Sequence, residues 1–319
     1  MKHLLITLLA ILGLTCSCQQ KPTQRADTAD TCRVAFQADS AYAHIVAQCD
    51  FGPRTPGSEA HRLCGDWIVA QFRALGLEVE EQVAPLTMWD GRTFQCRNII
   101  AHYRPTDATP IVISAHWDSR PWADQDPDPA KHSQPVMAAN DGASGIAVML
   151  ELARLMPQIE NPQPVDFVCF DLEDYGSDAH EGSFALGAQH WASHNTTAYD
   201  WGILLDMVGG RDSHFCYEGF SMRYAPWLVA RTWGAAETVG AADIFVKKDG
   251  GYITDDHGPM NEAGIPTIDI IPYFDQAGTP SFGPTWHTTH DTPDNISRQT
   301  LRAVGQTLLQ LLHEEAAAR

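Results

Sequence analysis

The stretch Val165-Asp166-Phe167-Val168-Cys169-Phe170-Asp171-Leu172-Glu173-Asp174 constrains this chain more than any other. Val165, Phe167, Val168, Cys169 and Phe170 make a nearly continuous apolar run, the pattern of a strand buried on both faces. Such strands belong to open α/β sheets, whose ligands sit beyond the strand ends. Here the run passes within a few residues into Asp171, Glu173 and Asp174. Carboxylates crowded at such a place need a cation, a shared proton or water. Glu173 and Asp174 are neighbours, and in extended backbone their side chains point opposite ways. One can then hold a metal while the other faces a different part of a pocket. A solvated acidic turn is the plain alternative.

The rest of the chain repeats the alternation. Short helices are expected from Ala41 to Cys49 and from Ser58, as a cap, to Leu75. Strands are expected over Leu77–Val83, over Phe94–Tyr103 with an interruption at Cys96-Arg97-Asn98, and over Pro110–Ala115. Helices over Gly142–Met156, Ser183–His194 and Met222–Val239 are interleaved with strands over Ile203–Met207, Asp243–Val246 and Thr267–Ile271. A final helix starts at Ser297 and buries Leu301, Val304, Leu308, Leu311 and Leu312. Alternating strands and helices predict a largely parallel sheet covered on both faces. No internal repeat or long linker divides the region from residue 35 to 319, which reads as one domain.

The 319 residues carry a formal charge of −19, which argues against nucleic acid as a partner, because phosphate binding needs clustered Lys and Arg. Leu4 to Leu14 is apolar, follows Lys2, and is too short to span a bilayer but suited to a signal segment. The following Leu14-Thr15-Cys16-Ser17-Cys18 resembles the lipobox of bacterial lipoproteins. That resemblance implies a signal peptide over 1–17, lipid on Cys18 (Cys16 is the alternative), and a polar tether over 18–34. The chain would then be exported and anchored to a membrane by lipid alone, facing the periplasm. Of the six remaining cysteines, some could pair in an oxidising compartment, while Cys169 reads as a free core thiol.

Five points of chemistry recur where strands stop: His116-Trp117-Asp118, Asn140-Asp141-Gly142, Glu173-Asp174, Asp206 and His287. Imidazole with carboxylate is a zinc-type ligand set, and a catalytic zinc keeps one position open. His116 with Asp118 also fits a histidine oriented by a second carboxylate. Singly, each has a plain reading: a histidine after a strand is structural, and Asp141 is an N-cap. Asp206 in an apolar strand is harder to dismiss, because a buried carboxylate needs a partner. The specific signal is the ordered set. It runs His-x-Asp, Asn-Asp-Gly-x-x-Gly, Glu-Asp, an Asp in an apolar strand, Asp255-Asp256-His257 and Trp286-His287-Thr288.

In these motifs the chain resembles the M28-like zinc aminopeptidase superfamily and, within it, the animal-type (type II) glutaminyl cyclases. The resemblance runs from Gly52-Pro53-Arg54-Thr55-Pro56-Gly57-Ser58 into the last helix. It implies one α/β domain with a central mixed, mostly parallel sheet and helices on both faces. It also implies either of two activities. Cyclases hold one zinc and convert the N-terminal glutamine of peptides and proteins to pyroglutamate with loss of ammonia. Di-zinc aminopeptidases hydrolyse N-terminal residues. His116, Asp141, Asp174, Asp206 and His287 would serve both. Asp255, where peptidases more often have Ser, and Trp286, before the ligand histidine, favour the cyclase.

The roles so implied are a single zinc on Asp141, Asp174 and His287, with Glu173 as proton carrier and Asp206 for the substrate α-amino group. Asp255 would hydrogen-bond to Asp206 and share a proton with it. The Trp286 backbone N–H would hold the γ-carbonyl, with Ile253, Phe282 and the Trp286 ring as pocket walls. His116 and Asp118 would be a second-metal pair or a relic. A cis peptide is implied after Asp141, and a monomer is favoured. Two departures stand out: Glu173-Asp174 replaces the family's Glu-Glu, and no Trp follows within Tyr175 to Glu181. Trp122 or Trp191 are the candidates for the missing wall.

Overall fold

The computed structural model describes residues 31–274 and 282–318. The expected signal segment and Cys18 lie outside them. Helices α1 (Ala38–Cys49) and α2 (Glu59–Ala74) lead into the antiparallel pair β1 (Glu78–Thr87) and β2 (Thr93–Tyr103). Then follow β3 (Ile111–His116), α3 (Ala143–Leu155), β4 (Val165–Phe170), α4 (Leu186–His194) and β5 (Gly202–Leu205). The rest comprises β6 (Phe215–Tyr217), α5 (Gly219–Tyr224), α6 (Pro226–Thr238), β7 (Phe245–Asp249), α7 (His257–Glu262), β8 (Thr267–Ile270) and α8 (Arg298–Ala317).

Six strands form one sheet in the order β1-β2-β4-β3-β5-β8, and β6 pairs with β7 in a small second sheet. Strands β4, β3, β5 and β8 run parallel, while β2 joins β4 antiparallel. The sheet is therefore mixed and mostly parallel, as expected. Side chains alternate between its faces. Ile99, Ala101, Ile113, Phe167 and Cys169 join the large core with α1, α2, α3 and α8. Ile100, Val112, Val168 and Phe170 pack on the other face with Trp191 and Met260. Cys169, in the large core, is a buried free thiol, as its strand implies.

Register places the site. His116 pairs with Phe170, and Leu205 with Ile270, so the parallel strands end nearly abreast. Whatever follows β3, β4 and β5 emerges on one edge. Helix α3 is held close beneath that edge by Gly145: a Cβ there would lie 2.3 Å from Leu205 O and 2.6 Å from the Ala115 Cβ.

Several local readings change. β2 runs unbroken through Cys96-Arg97-Asn98, because Asn98 is satisfied by Gln82 Oε1 and Gly187 O, both at 2.9 Å. The helix expected over 222–239 is two, since Pro226 has no N–H and restricts Ala225. Helix α4 begins only at Leu186, after Ala185 in the left-handed region (φ 57°). No peptide bond among the described residues is cis, so the bond after Asp141 is trans, and Gly142 turns the chain by its φ of 115° instead. Where the end of a tether was expected, Cys32 is buried and its N–H donates to Gln310 Oε1 at 2.8 Å. The final helix buries Leu301, Val304, Leu308, Leu311 and Leu312, as its spacing predicts.

Candidate active site

The chemical residues are fixed by turns: those that leave β3, β4 and β5, the one that enters α3 and, for His287, a turn segment ahead of α8. Beyond β3, Asp118 is fully buried and its two oxygens accept the N–H groups of Glu173 (3.1 Å) and Asp174 (3.2 Å). It therefore clamps the β4 turn while facing His116 Nδ1 at 3.5 Å. Leu172, just before that pair, is held at φ 57°. At the start of α3, Asp291 accepts the N–H groups of Asn140 (2.8 Å) and Asp141 (3.0 Å). Asn140 Oδ1 accepts from Gly209 N at 2.8 Å, tying the α3 turn to the loop after β5. Asp206 stands directly past β5, and Met207 after it has φ 50°; His287 itself has φ 53°. Non-glycine residues in this region are strained by about 1–3 kcal/mol each, and they gather at sites the surrounding structure over-determines.

These turns bring together two groups of ligand atoms that share Asp141. In one, His287 Nε2 lies 3.2 Å from Asp174 Oδ1 and 3.6 Å from Asp141 Oδ2. In the other, His116 Nε2 lies 3.0 Å from Asp141 Oδ1 and 3.2 Å from Asp206 Oδ1. Asp174 Oδ2 is buried without a hydrogen-bond partner, as are His287 Nδ1 and His116 Nδ1 by hydrogen-bond geometry. Buried carboxylates facing imidazoles, with an acceptor oxygen left over, fit a zinc ion.

The electrostatics agree with a site short of positive charge. Burial, followed by the Asp174 charge, pushes the Asp141 carboxyl up. Burial and the Asp255 charge push Glu173 well above its usual range. Burial and the Asp206 charge do the same to Asp255. Burial opposes charge on the His287 ring, yet Asp174 and Asp124 raise it to about 9. Burial would raise Asp174, yet His287 and Arg120 hold it below the usual carboxylate range.

Arg120 and Asp124 were not legible as site residues. Arg120 Nη1 donates to Asp174 Oδ1 at 3.1 Å. Its Nε and Nη2 grip Asp124 at 2.7 and 2.8 Å, and Asp124 Oδ1 lies 3.4 Å from His287 Nδ1. The only signal is their four-residue spacing just after His116-Trp117-Asp118. Arg54, from the Gly-Pro-Arg-Thr-Pro-Gly turn, is fully buried and donates to the carbonyls of Met137 and Ala138 on the approach to Asp141.

A cleft of about 1100 Å³ opens over the His287 group and is lined by Glu173, Asp206, Asp255, Ile253, Phe282 and Trp286. Phe282 and Trp286 meet with centroids 4.9 Å apart, and Trp286 stacks on His287 at 3.9 Å. Two expected details differ. Asp255 Oδ1 accepts from Asp256 N at 2.6 Å rather than bonding to Asp206. The Trp286 N–H turns to Gly283 O at 3.4 Å. Neither proposed tryptophan supplies the missing wall: Trp191 is buried against Phe170 and Tyr199, and Trp122 lines a neighbouring cleft with Trp89. Phe184 lines the main cleft instead, and only a glycine at 176 leaves room, since a Cβ there would lie 2.3 Å from its ring.

The profile described as Peptidase family M28 matches residues 98–312. Among solved structures, the chain is similar to Porphyromonas gingivalis glutaminyl cyclase, with 44% identity, a TM-score of 0.85, and coverage of 88% of this chain and 99% of that one. It is similar also to a Zn-dependent exopeptidase from Parabacteroides distasonis, with 42% identity, a TM-score of 0.84, and coverage of 88% and 98%. Among curated relatives, it is 26% identical to glutaminyl-peptide cyclotransferase of Bos taurus, over 82% of this chain and 78% of that protein. It is 27% identical to aminopeptidase YwaD of Bacillus subtilis, over 64% of this chain but only 40% of that protein's length.

Proposed function

The chain belongs to peptidase family M28, and from that premise we propose that it is a zinc-dependent glutaminyl-peptide cyclotransferase. It converts the N-terminal glutamine of peptides and proteins to pyroglutamate. The α-amine nitrogen bonds to the γ-carbonyl carbon, the bond from that carbon to the amide nitrogen breaks, and ammonia leaves. The observation that carries this reading is the make-up of the cleft. Three carboxyl groups, Glu173, Asp206 and Asp255, face the Asp141–Asp174–His287 group beneath the apolar walls of Ile253, Phe282 and Trp286. Its similarity to cyclases, over 99% of one solved chain and 78% of a curated relative, supports the same reading.

Asp141, Asp174 and His287 would hold one zinc per chain. When bound, it supplies Lewis-acid polarisation of the γ-carbonyl and positive charge for the developing oxyanion. Asp206 binds the α-amino group and turns it towards the γ-carbon. Glu173 takes a proton from that nitrogen and delivers it to the departing amide nitrogen, so one carboxyl group serves both transfers. Ile253, Phe282 and Trp286 exclude water and hold the side chain folded for ring closure, which is intramolecular and needs no outside nucleophile.

The di-zinc aminopeptidase reading has one observation in its favour: the second ligand group, His116–Asp141–Asp206, shares Asp141 with the first. Incubation with one Gln-initiated and one Leu-initiated peptide separates the two. Loss of one ammonia from the first supports the cyclase; release of the first residue from the second supports the peptidase. Glu173→Gln is expected to lose most turnover while keeping its zinc, and near-normal activity would remove the proton-carrier role. His287→Ala should lose metal and activity together, as read by elemental analysis and peptide mass.

We further propose that the chain acts as a monomer, exported as a lipoprotein, with Cys18 carrying the lipid and the enzyme facing the periplasm. Cys18→Ala should then release it from the membrane fraction.

A further inference from the structure

Tyr252 is 71% exposed although the backbone on either side of it is pinned. Gly219 N donates to Gly251 O at 2.9 Å, and Ile253 N donates to Glu218 Oε1 at 3.1 Å. Glu218 is itself buried and also accepts from Phe220 N (2.8 Å), Ser221 N (2.6 Å) and Ser221 Oγ (2.7 Å). The Tyr252 ring lies directly over Gly219, where a Cβ would come within 2.6 Å, and meets the Phe220 ring edge-on at 5.0 Å. A single exposed aromatic on a surface is ordinary. An exposed aromatic held rigid on the rim of a cleft, one residue from a wall of that cleft, is a preformed platform.

The charge lining the cleft is one-sided. Eight of the described residues lining the cleft are Asp or Glu and none is Lys or Arg. Asp178, Glu181 and Glu262 lie outside the proposed chemical centre. A cation over a tyrosine face is attracted by the ring, and carboxylates nearby add to that attraction.

Resting on the cyclase reading, we infer that Tyr252 is the platform for the side chain following the N-terminal glutamine, and that this position favours Lys or Arg and disfavours Asp or Glu. Ile253 and Tyr252 are neighbours lining the same cleft, Ile253 buried and Tyr252 exposed, which makes Tyr252 the outer of the two.

The test uses three peptides identical except for Lys, Gly or Glu after the N-terminal glutamine, with ammonia release as the readout. The unaltered enzyme should rank them Lys, Gly, Glu in kcat/KM, with steps of roughly threefold to tenfold carried by KM. Added salt should shrink the Gly-to-Glu step. Tyr252→Ala should bring the Lys-to-Gly ratio close to one, and Tyr252→Phe should keep it. Ammonia from all three peptides with no ranking, or with a Lys-to-Gly ratio that survives Tyr252→Ala, overturns the subsite alone. No ammonia from any of them overturns the function, and the subsite with it.

Discussion

Asp118 shows how much of this site is backbone control. Its carboxylate accepts two buried N–H groups, those of the residues proposed as proton carrier and zinc ligand. Asp118→Ala should leave both donors unsatisfied, at about 1–3 kcal/mol each, and lower kcat more than folding alone explains. Thermal melts and steady-state rates measured on the same preparation check this. In the sequence, Asp118 was legible only as a neighbour of His116, because an acceptor for distant N–H groups leaves no spacing behind. Asp141 and Asp174 were legible because one precedes a helix and the other follows an apolar strand, whereas His287 was legible only through Trp286-His287-Thr288. Arg120 and Asp124 were not, since their partners lie up to 163 residues away (287 − 124) and charge pairs have no period.

At the scale of elements, α3 and β4 were plain from their apolar runs, and both are buried throughout or nearly so. The three-residue β6 and the six-residue α7 carry too few residues for a period, and both were missed. The break at Pro226 was available, since proline suits the first turn of a new helix. Helix α3 lies near the sheet only because Gly145 has no side chain. Gly145→Ala would push the helix off Leu205 O and destabilise the fold by about 1–3 kcal/mol or more. It should also reduce zinc content, because Asp141 sits at the α3 N-terminus. Circular-dichroism melts with elemental analysis test both effects.

Over the whole molecule, the mixed sheet was legible from alternation, but the depth of its buried acid was not. Asp269 is buried with neither carboxyl oxygen hydrogen-bonded. Burial, then the Asp255 charge, raises it well above 3.8. A raised folded-state value gives stability that is complete below the unfolded value and is lost as pH rises through the folded one. Asp269→Asn, which cannot lose a proton, should therefore melt higher than the unaltered protein at about pH 8, with the advantage gone near pH 4. Removing zinc with a chelator should lower the melting temperature, and returning it should restore the loss, because an ion that binds only the folded chain stabilises it. Arg120 gives such loading a particular form. One guanidinium touches Asp174 on one side and, through Asp124, steadies His287 on the other. Two ligands contributed by distant loops thus share a single tie-rod, and cutting it should slacken both together. Arg120→Lys should then weaken zinc binding by about 10–100-fold without abolishing it, as a zinc titration of the metal-free protein would read.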